Sequence, residues 1–263
     1  MQFSVNGNQA YAYTGGKAFD AKLPTVVFVH GAEHDHSVWI LQSRYLAHHG
    51  YGVLAVDLPG HGRSAGPALA SVEALAEWLI AALGAARVNT AAIVGHSMGS
   101  LIALECAARH PDRVAKIALL ATAYPMKVSA ELLDATKNAE PAAQDMVNVW
   151  SHSAYAHYPN NPGPGFWIIG ENLRLMQRQK PGVMHVDFSA CNAYAGGADA
   201  AAKVRCPALF LLGRRDVMTP ARVAQDFARS VKGANIVTIA GSGHNLMAEK
   251  PDEVLDTLVA FLK

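Results

Sequence analysis

Runs of mostly apolar residues recur along the chain, and each closes on a turn signal. They are T-V-V-F-V-H-G from Thr25, G-V-L-A-V-D-L-P-G from Gly52, A-A-I-V-G-H-S from Ala91, K-I-A-L-L-A-T from Lys116, A-L-F-L-L-G from Ala208 and N-I-V-T-I-A-G from Asn235. None alternates apolar with polar positions, as a parallel strand buried on both faces requires. Helical periodicity fills most of the intervals. Ser71 can cap V-E-A-L-A-E-W-L-I-A-A-L, where Leu75, Trp78, Leu79, Ala82 and Leu83 share one face. Thr219-Pro220 reads as a cap followed by proline at the first helical position, with Gly233 as the stop. Pro251, Asp252 and Glu253 open a last helix with acids at its favourable dipole end. Strands alternating with helices predict an α/β fold with a doubly wound, mostly parallel sheet. F-S-V-N-G and A-Y-A-Y-T-G-G near the start predict a hairpin on its antiparallel edge.

One segment breaks the rhythm. Residues 124–205 hold no convincing buried strand, only helix-like stretches at 131–138, 145–150 and 166–179, cut by P-N-N-P-G-P-G from Pro159. That is too long for a loop, so an inserted helical cap is expected, with 1–123 and 206–263 forming the core. Trp150, Trp167, Phe166, Met146, Met176 and Met184 read mainly as the cap's own core, a few of them closing a pocket.

Composition narrows the class. A chain of 263 residues, 51% hydrophobic with net charge +1, can bury a large core and has no basic stripe for nucleic acid or an acidic membrane. No signal peptide or membrane-length apolar run is visible. Cys106, Cys191 and Cys206 form no C-x-x-C and cannot all pair, which fits thiols in a reducing cytoplasm.

The chemistry centres on G-H-S-M-G, Gly95 to Gly99, between the third apolar run and a helix that stops before Pro111. The glycines permit a sharp turn that pushes the Ser97 hydroxyl outward, with free N–H groups of a helix N-terminus behind it. A serine needs a base and an orienting acid. Asp216 follows the fifth run and His244 the sixth, and in a parallel sheet the carboxyl ends of strands share one edge. Ser97, Asp216 and His244 are therefore expected to converge as a catalytic triad.

Histidines and acids also crowd V-H-G-A-E-H-D-H-S-V-W from Val29, which looks like a metal site. A metallo-β-lactamase-type H-x-H-x-D-H would need histidine where Gly31 and Glu33 stand, and no H-E-x-x-H helix is present. No metal is expected there, and Glu33, His34 and His36 are read as pocket rim or solvated side chains.

With H-G at His30, D-L-P-G-H-G-R-S from Asp57, G-H-S-M-G, G-R-R-D and G-S-G-H in this order, the chain resembles the α/β-hydrolase fold superfamily over nearly its whole length. The resemblance implies Ser97 as nucleophile, His244 as general base and then acid, and Asp216 orienting His244. It places the oxyanion hole on the backbone N–H groups of Met98 and of Ala32, the residue after H-G. Some members carry the acid after the preceding strand, but A-T-A-Y-P there holds none. The further pocket candidates are Glu33, His96, Trp150, Trp167, Met218 and Asn245.

The expected activity is cleavage of an ester-like small molecule (carboxylic ester, thioester or lactone) through an acyl-enzyme, without cofactor. The alternatives are a carbon–carbon bond hydrolase of ring cleavage, a cofactor-free perhydrolase or haloperoxidase, and, more distantly, a non-catalytic small-molecule receptor. The carbon–carbon hydrolases typically carry Asn before the nucleophile and Trp after the histidine, whereas this chain has His96 and Asn245. Ser97 itself excludes the dehalogenase and epoxide hydrolase chemistry that uses an Asp nucleophile. The expected setting is cytoplasmic, with a small-molecule substrate, no nucleic acid, no membrane, and room for a homodimer.

Overall fold

A computed structural model describes residues 1–157 and 167–263. Its strands are β1 Gln2–Val5, β2 Asn8–Tyr13, β3 Thr25–Val29, β4 Gly52–Asp57, β5 Ala91–His96, β6 Val114–Leu120, β7 Ala208–Gly213 and β8 Asn235–Ile239. They form one 8-stranded sheet in the order β1-β2-β4-β3-β5-β6-β7-β8. β1 and β2 make the antiparallel hairpin, β2 joins β4 antiparallel, and every later pairing is parallel.

The helices are α1 Ile40–Ala47, α2 Val72–Ala85, α3 Met98–Arg109, α4 Ala130–Asn138, α5 Glu140–Trp150, α6 Ile168–Gln177, α7 Val183–Ala193, α8 Gly197–Lys203, α9 Ala221–Ala228, α10 Leu246–Glu249 and α11 Pro251–Leu262. Side chains alternate across the sheet: Val27 and Val29 pack with α2 and α3, while Val26 and Phe28 face the opposite layer with α1 and α11. The sheet is thus covered on both faces, which is why the strands read as continuous apolar runs. β8 is the exception, with Asn235 and Thr238 exposed, because as the last strand it has a free edge.

Ser71 caps α2 by accepting the Ala74 N–H, and Pro251 opens α11. Thr219 departs from expectation: Pro220 occupies the cap of α9, and the Thr219 hydroxyl donates to Asp216 instead. Helix α9 ends at Ala228, well before Gly233, since Arg229 to Ala234 form further turns.

Between β6 and β7 lie helices α4 to α8, with a small apolar cluster of Leu132, Ala143, Val147, Met176, Met184 and Phe188. Helices α7 and α8 are not predicted by the sequence pattern. V-M-H-V-D-F-S-A-C-N-A is rich in weak helix formers, and G-A-D-A-A-A-K has no apolar face long enough to show a period. The proline-rich loop from Pro159 and Phe166 lie outside the described residues. Trp167 is 70% exposed and does not enter a core. It is the residue before α6, and its ring lies against the helix's own first turn, where a Cβ on Gly170 would stand 2.1 Å from it.

Candidate active site

The chain crosses from one side of β3 to the other when it passes from β4 to β5, so the carboxyl ends of β3 and β5 diverge there and leave a crevice. Ser97 stands at that point, directly after β5, with φ 52° and ψ −117°. Left-handed backbone is costly for a residue with a Cβ and persists only where its surroundings enforce it. Here they do. The Ser97 N–H donates to Leu120 O at 2.9 Å, and its carbonyl accepts the Ser100 N–H at 2.9 Å. The turn is so tight that a Cβ on Gly95 would meet Gly99 O at 2.0 Å, and one on Gly99 would meet Val29 O at 2.4 Å.

The acid and the imidazole come from the ends of β7 and β8. Asp216 Oδ2 accepts from His244 Nδ1 at 2.8 Å and from the Thr219 hydroxyl at 2.6 Å, while its Oδ1 accepts the N–H groups of Met218 and Thr219, both at 2.8 Å. Burial alone would raise this carboxyl's pKa. The attraction of His244 when its ring is protonated, its hydrogen bond and the Thr219 donors outweigh it and hold the pKa below the usual range. The Asp216 contact fixes Nδ1 as the protonated nitrogen and leaves Nε2 as a proton acceptor. Ser97 and His244 line the same cavity of about 380 Å³, together with Ala32, Met126, Lys127, Leu132, Trp150, Phe188, Cys191 and Met218.

On the β3 side, His30 sets the backbone. Burial lowers its pKa to about 4, so the ring is neutral. Its Nε2 accepts the Leu58 N–H at 3.1 Å, so Nδ1 carries the proton and donates to Gly31 O at 2.8 Å. The Gly31 carbonyl shares a peptide plane with the Ala32 N–H and points the opposite way. Fixing one therefore aims the other. Gly31 is required by the close approach, since a Cβ there would lie 2.9 Å from His96 Nδ1 and 3.3 Å from Ser97 Cβ. Met98 is fully buried and opens α3, where the first N–H groups lack intrahelical acceptors.

The alpha/beta hydrolase family pattern matches residues 26–257. A pimeloyl-[acyl-carrier protein] methyl ester esterase of Neisseria meningitidis is 31% identical over 206 residues, 73% of this chain and 75% of that one. The chain belongs to the alpha/beta hydrolase family. An (E)-2-((N-methylformamido)methylene)succinate hydrolase of Acinetobacter baylyi is 25% identical to this hydrolase over 248 residues, 90% of each chain. Among solved structures, the enol-lactonase of Burkholderia xenovorans superposes with a TM-score of 0.87 at 23% identity, covering 99% of each chain, a likeness of fold.

Of the pocket candidates, Trp150 and Met218 line the hydrolase's cavity and four others do not. Trp167 points outward, as described above. His96 lies behind the site: its Nε2 donates to the His244 carbonyl at 2.9 Å, and burial keeps the ring neutral. Asn245 lines a separate cavity of about 490 Å³ and contacts His152 Nε2 at 3.2 Å. Glu33 is buried, not rim, and its N–H donates to Asp187 Oδ2 at 2.8 Å.

His34 and Asp35 are also internal, and His36 is half-buried. His34 donates from Nε2 to Asn172 Oδ1 at 2.9 Å. Asp35 caps the turn His36–Trp39 and forms a two-oxygen contact with Arg178 at 2.5 and 2.7 Å. Asp35, His36 and Asp57 do bring ligand atoms within 4.8 Å of one another. Their donors are already engaged: Asp35 by Arg178, Ser37 and Gln179, and Asp57 by the N–H groups of His36 and Arg63 and by His36 Nδ1. A cation would have to displace these partners, so the trio is built as a loop clasp and does not fit an ion.

Glu249, which no sequence motif marks, accepts the N–H groups of Gly243 and Ser153 at 2.8 and 3.0 Å and so anchors the loop carrying His244. A lone acid after L-M-A gives no signal of that role.

Proposed function

We propose that this alpha/beta hydrolase cleaves ester-like small molecules through an acyl-enzyme on Ser97. The observation that carries the reading is the pairing, in one cavity, of a serine held at φ 52° with an imidazole whose Nδ1 is committed to Asp216. His244 Nε2 takes the Ser97 proton as Oγ attacks the carbonyl carbon. The N–H groups of Ala32 and Met98 hold the oxyanion, each worth about 3 kcal/mol to the transition state. His244 then protonates the leaving alkoxide, and in the second half it deprotonates a water that releases the acid and frees Ser97.

In this reading residues 124–205 act as a cap. Met126, Leu132, Trp150 and Phe188 supply the apolar wall of the cavity, and its size suits a small to medium acyl or alkyl group. The curated relatives include an ester hydrolase, which agrees with this chemistry. Labelling with a fluorophosphonate probe followed by peptide mapping tests it. A single adduct on Ser97, lost in Ser97→Ala, is expected. A folded protein that takes no adduct and turns over no aryl ester would overturn the proposal.

A further inference from the structure

The loop after β3 that presents Ala32 is gripped on its outer side by the helices inserted between β6 and β7. Asp187 of α7 accepts the Glu33 N–H at 2.8 Å, and Gln144 of α5 donates to Glu33 Oε1 at 3.1 Å. One residue on, His34 is held by Asn172 of α6, and Asp35 by Arg178 and Gln179 just beyond it. Three consecutive residues of the oxyanion loop thus have their side-chain or backbone partners in the insertion.

Asp187 holds the position nearest the chemistry. Glu33 has φ 57°, a left-handed conformation a glutamate does not keep unaided. Its N–H belongs to the peptide plane that follows Ala32, while His30 fixes the plane that precedes it. The two anchors together determine where the Ala32 N–H points. Asp187 is itself secured from the core: its Oδ2 also accepts His61 Nε2 at 2.8 Å, and His61 Nδ1 donates to Pro59 O at 3.0 Å. Both members of this pair are fully buried. Against the effect of burial, the carboxyl keeps the imidazole's pKa raised, so His61 can donate from both nitrogens.

We propose that Asp187 is a positioning residue for the oxyanion hole. From the inserted helices it sets the Ala32 N–H through Glu33, so that seating the insertion on the core and completing the hole are one event. This rests on the serine-hydrolase reading above. It also explains why an acid, which is rarely buried, occupies the inner face of α7.

The test compares an aryl ester with its thionoester in wild type, Asp187→Ala and Asp187→Asn. Sulfur on the attacked carbon accepts hydrogen bonds poorly, so an intact hole favours the oxo ester. Asp187→Ala is expected to lower kcat on the oxo ester by about ten- to a hundredfold with KM little changed. The oxo-to-thiono preference should shrink with it, while Asp187→Asn, which keeps an acceptor for Glu33, should restore most of both. A merely structural role would lower both substrates equally and leave their ratio unmoved, and that result, or unchanged kcat, overturns the proposal. If Asp187→Ala does not fold, His61→Gln gives the graded form of the same loss, and an unmoved ratio there is equally decisive. Absence of a Ser97 adduct in wild type would instead mark failure of the serine-hydrolase reading.

Discussion

Replacing Glu33 by glutamine should make the protein more stable than wild type at alkaline pH, and the size of the gain follows from where the carboxyl sits. Burial raises its pKa from 4.5 to about 8, aided by the nearby acids Asp187 and Glu140 and opposed by the Gln144 hydrogen bond and by His61. One carboxyl oxygen, Oε2, is buried without a partner. The folded protein therefore keeps a proton that the unfolded chain gives up. With a raised folded-state pKa, the contribution is fully present below pH 4.5, falls as pH rises, and is gone above about 8. At about 1.4 kcal/mol for each tenfold difference in proton affinity, the whole window is worth at most about 5 kcal/mol. Glutamine keeps the acceptor for Gln144 and has no charge to suppress. The assay is urea denaturation of both proteins from pH 5 to pH 9, read as the difference in unfolding free energy. Groups common to both chains cancel in that difference. It should move toward the variant by several kcal/mol across the window. A change below about 1 kcal/mol would refute the placement of a protonated acid at this position.

Three further outcomes follow from the site. Asp216→Asn keeps the shape but loses the charge that commits His244 Nδ1, and should lower kcat by about 10³- to 10⁴-fold with near-normal folding, as steady-state kinetics and circular dichroism will show. Gly99→Ala places a Cβ 2.4 Å from Val29 O and 2.6 Å from His30 O, both backbone atoms that cannot move aside. Its melting temperature should drop by several degrees or the protein fail to accumulate, whereas unchanged melting would mean that the elbow is looser than described. Trp150→Ala enlarges the cavity on its apolar wall and should shift the preferred acyl chain upward by one or more methylenes, measured over a series of aryl esters.

The sheet, its hairpin edge and the places of Ser97, Asp216 and His244 just after β5, β7 and β8 were legible because each depends on a local pattern. A doubly buried strand writes itself as an apolar run, and a residue just past such a run must arrive at the shared edge whatever its partners are. Only β8 was overread, since an edge strand can carry the same residues with one side left open. Contacts between segments distant in the chain leave no such trace. Thr219 looked like a helix cap because hydroxyls before Pro usually are, yet its hydroxyl serves Asp216. His96 sits beside the nucleophile in sequence but turns away from the cavity to hold the His244 carbonyl.

The stretch from Glu33 to Asp35 shows the same limit most clearly. Glu33 and His34 read there as pocket rim or solvated side chains, since burying such polar groups unpaired is prohibitive. The partners of Glu33, His34 and Asp35 lie 111 to 154 residues away, in helices α5 to α7 and the turn after α6. No spacing within the stretch could announce them, and α7 itself was invisible to periodicity. Once the inserted helices supply Asp187, Gln144, Asn172 and Arg178, the same residues become the inner lining of an interface between two parts of one chain. Their polarity is then the means by which the insertion recognises a particular loop. An apolar contact would hold the helices equally well but could not fix the orientation of a peptide plane. A buried acid receiving a backbone N–H can, and the peptide it fixes adjoins Ala32.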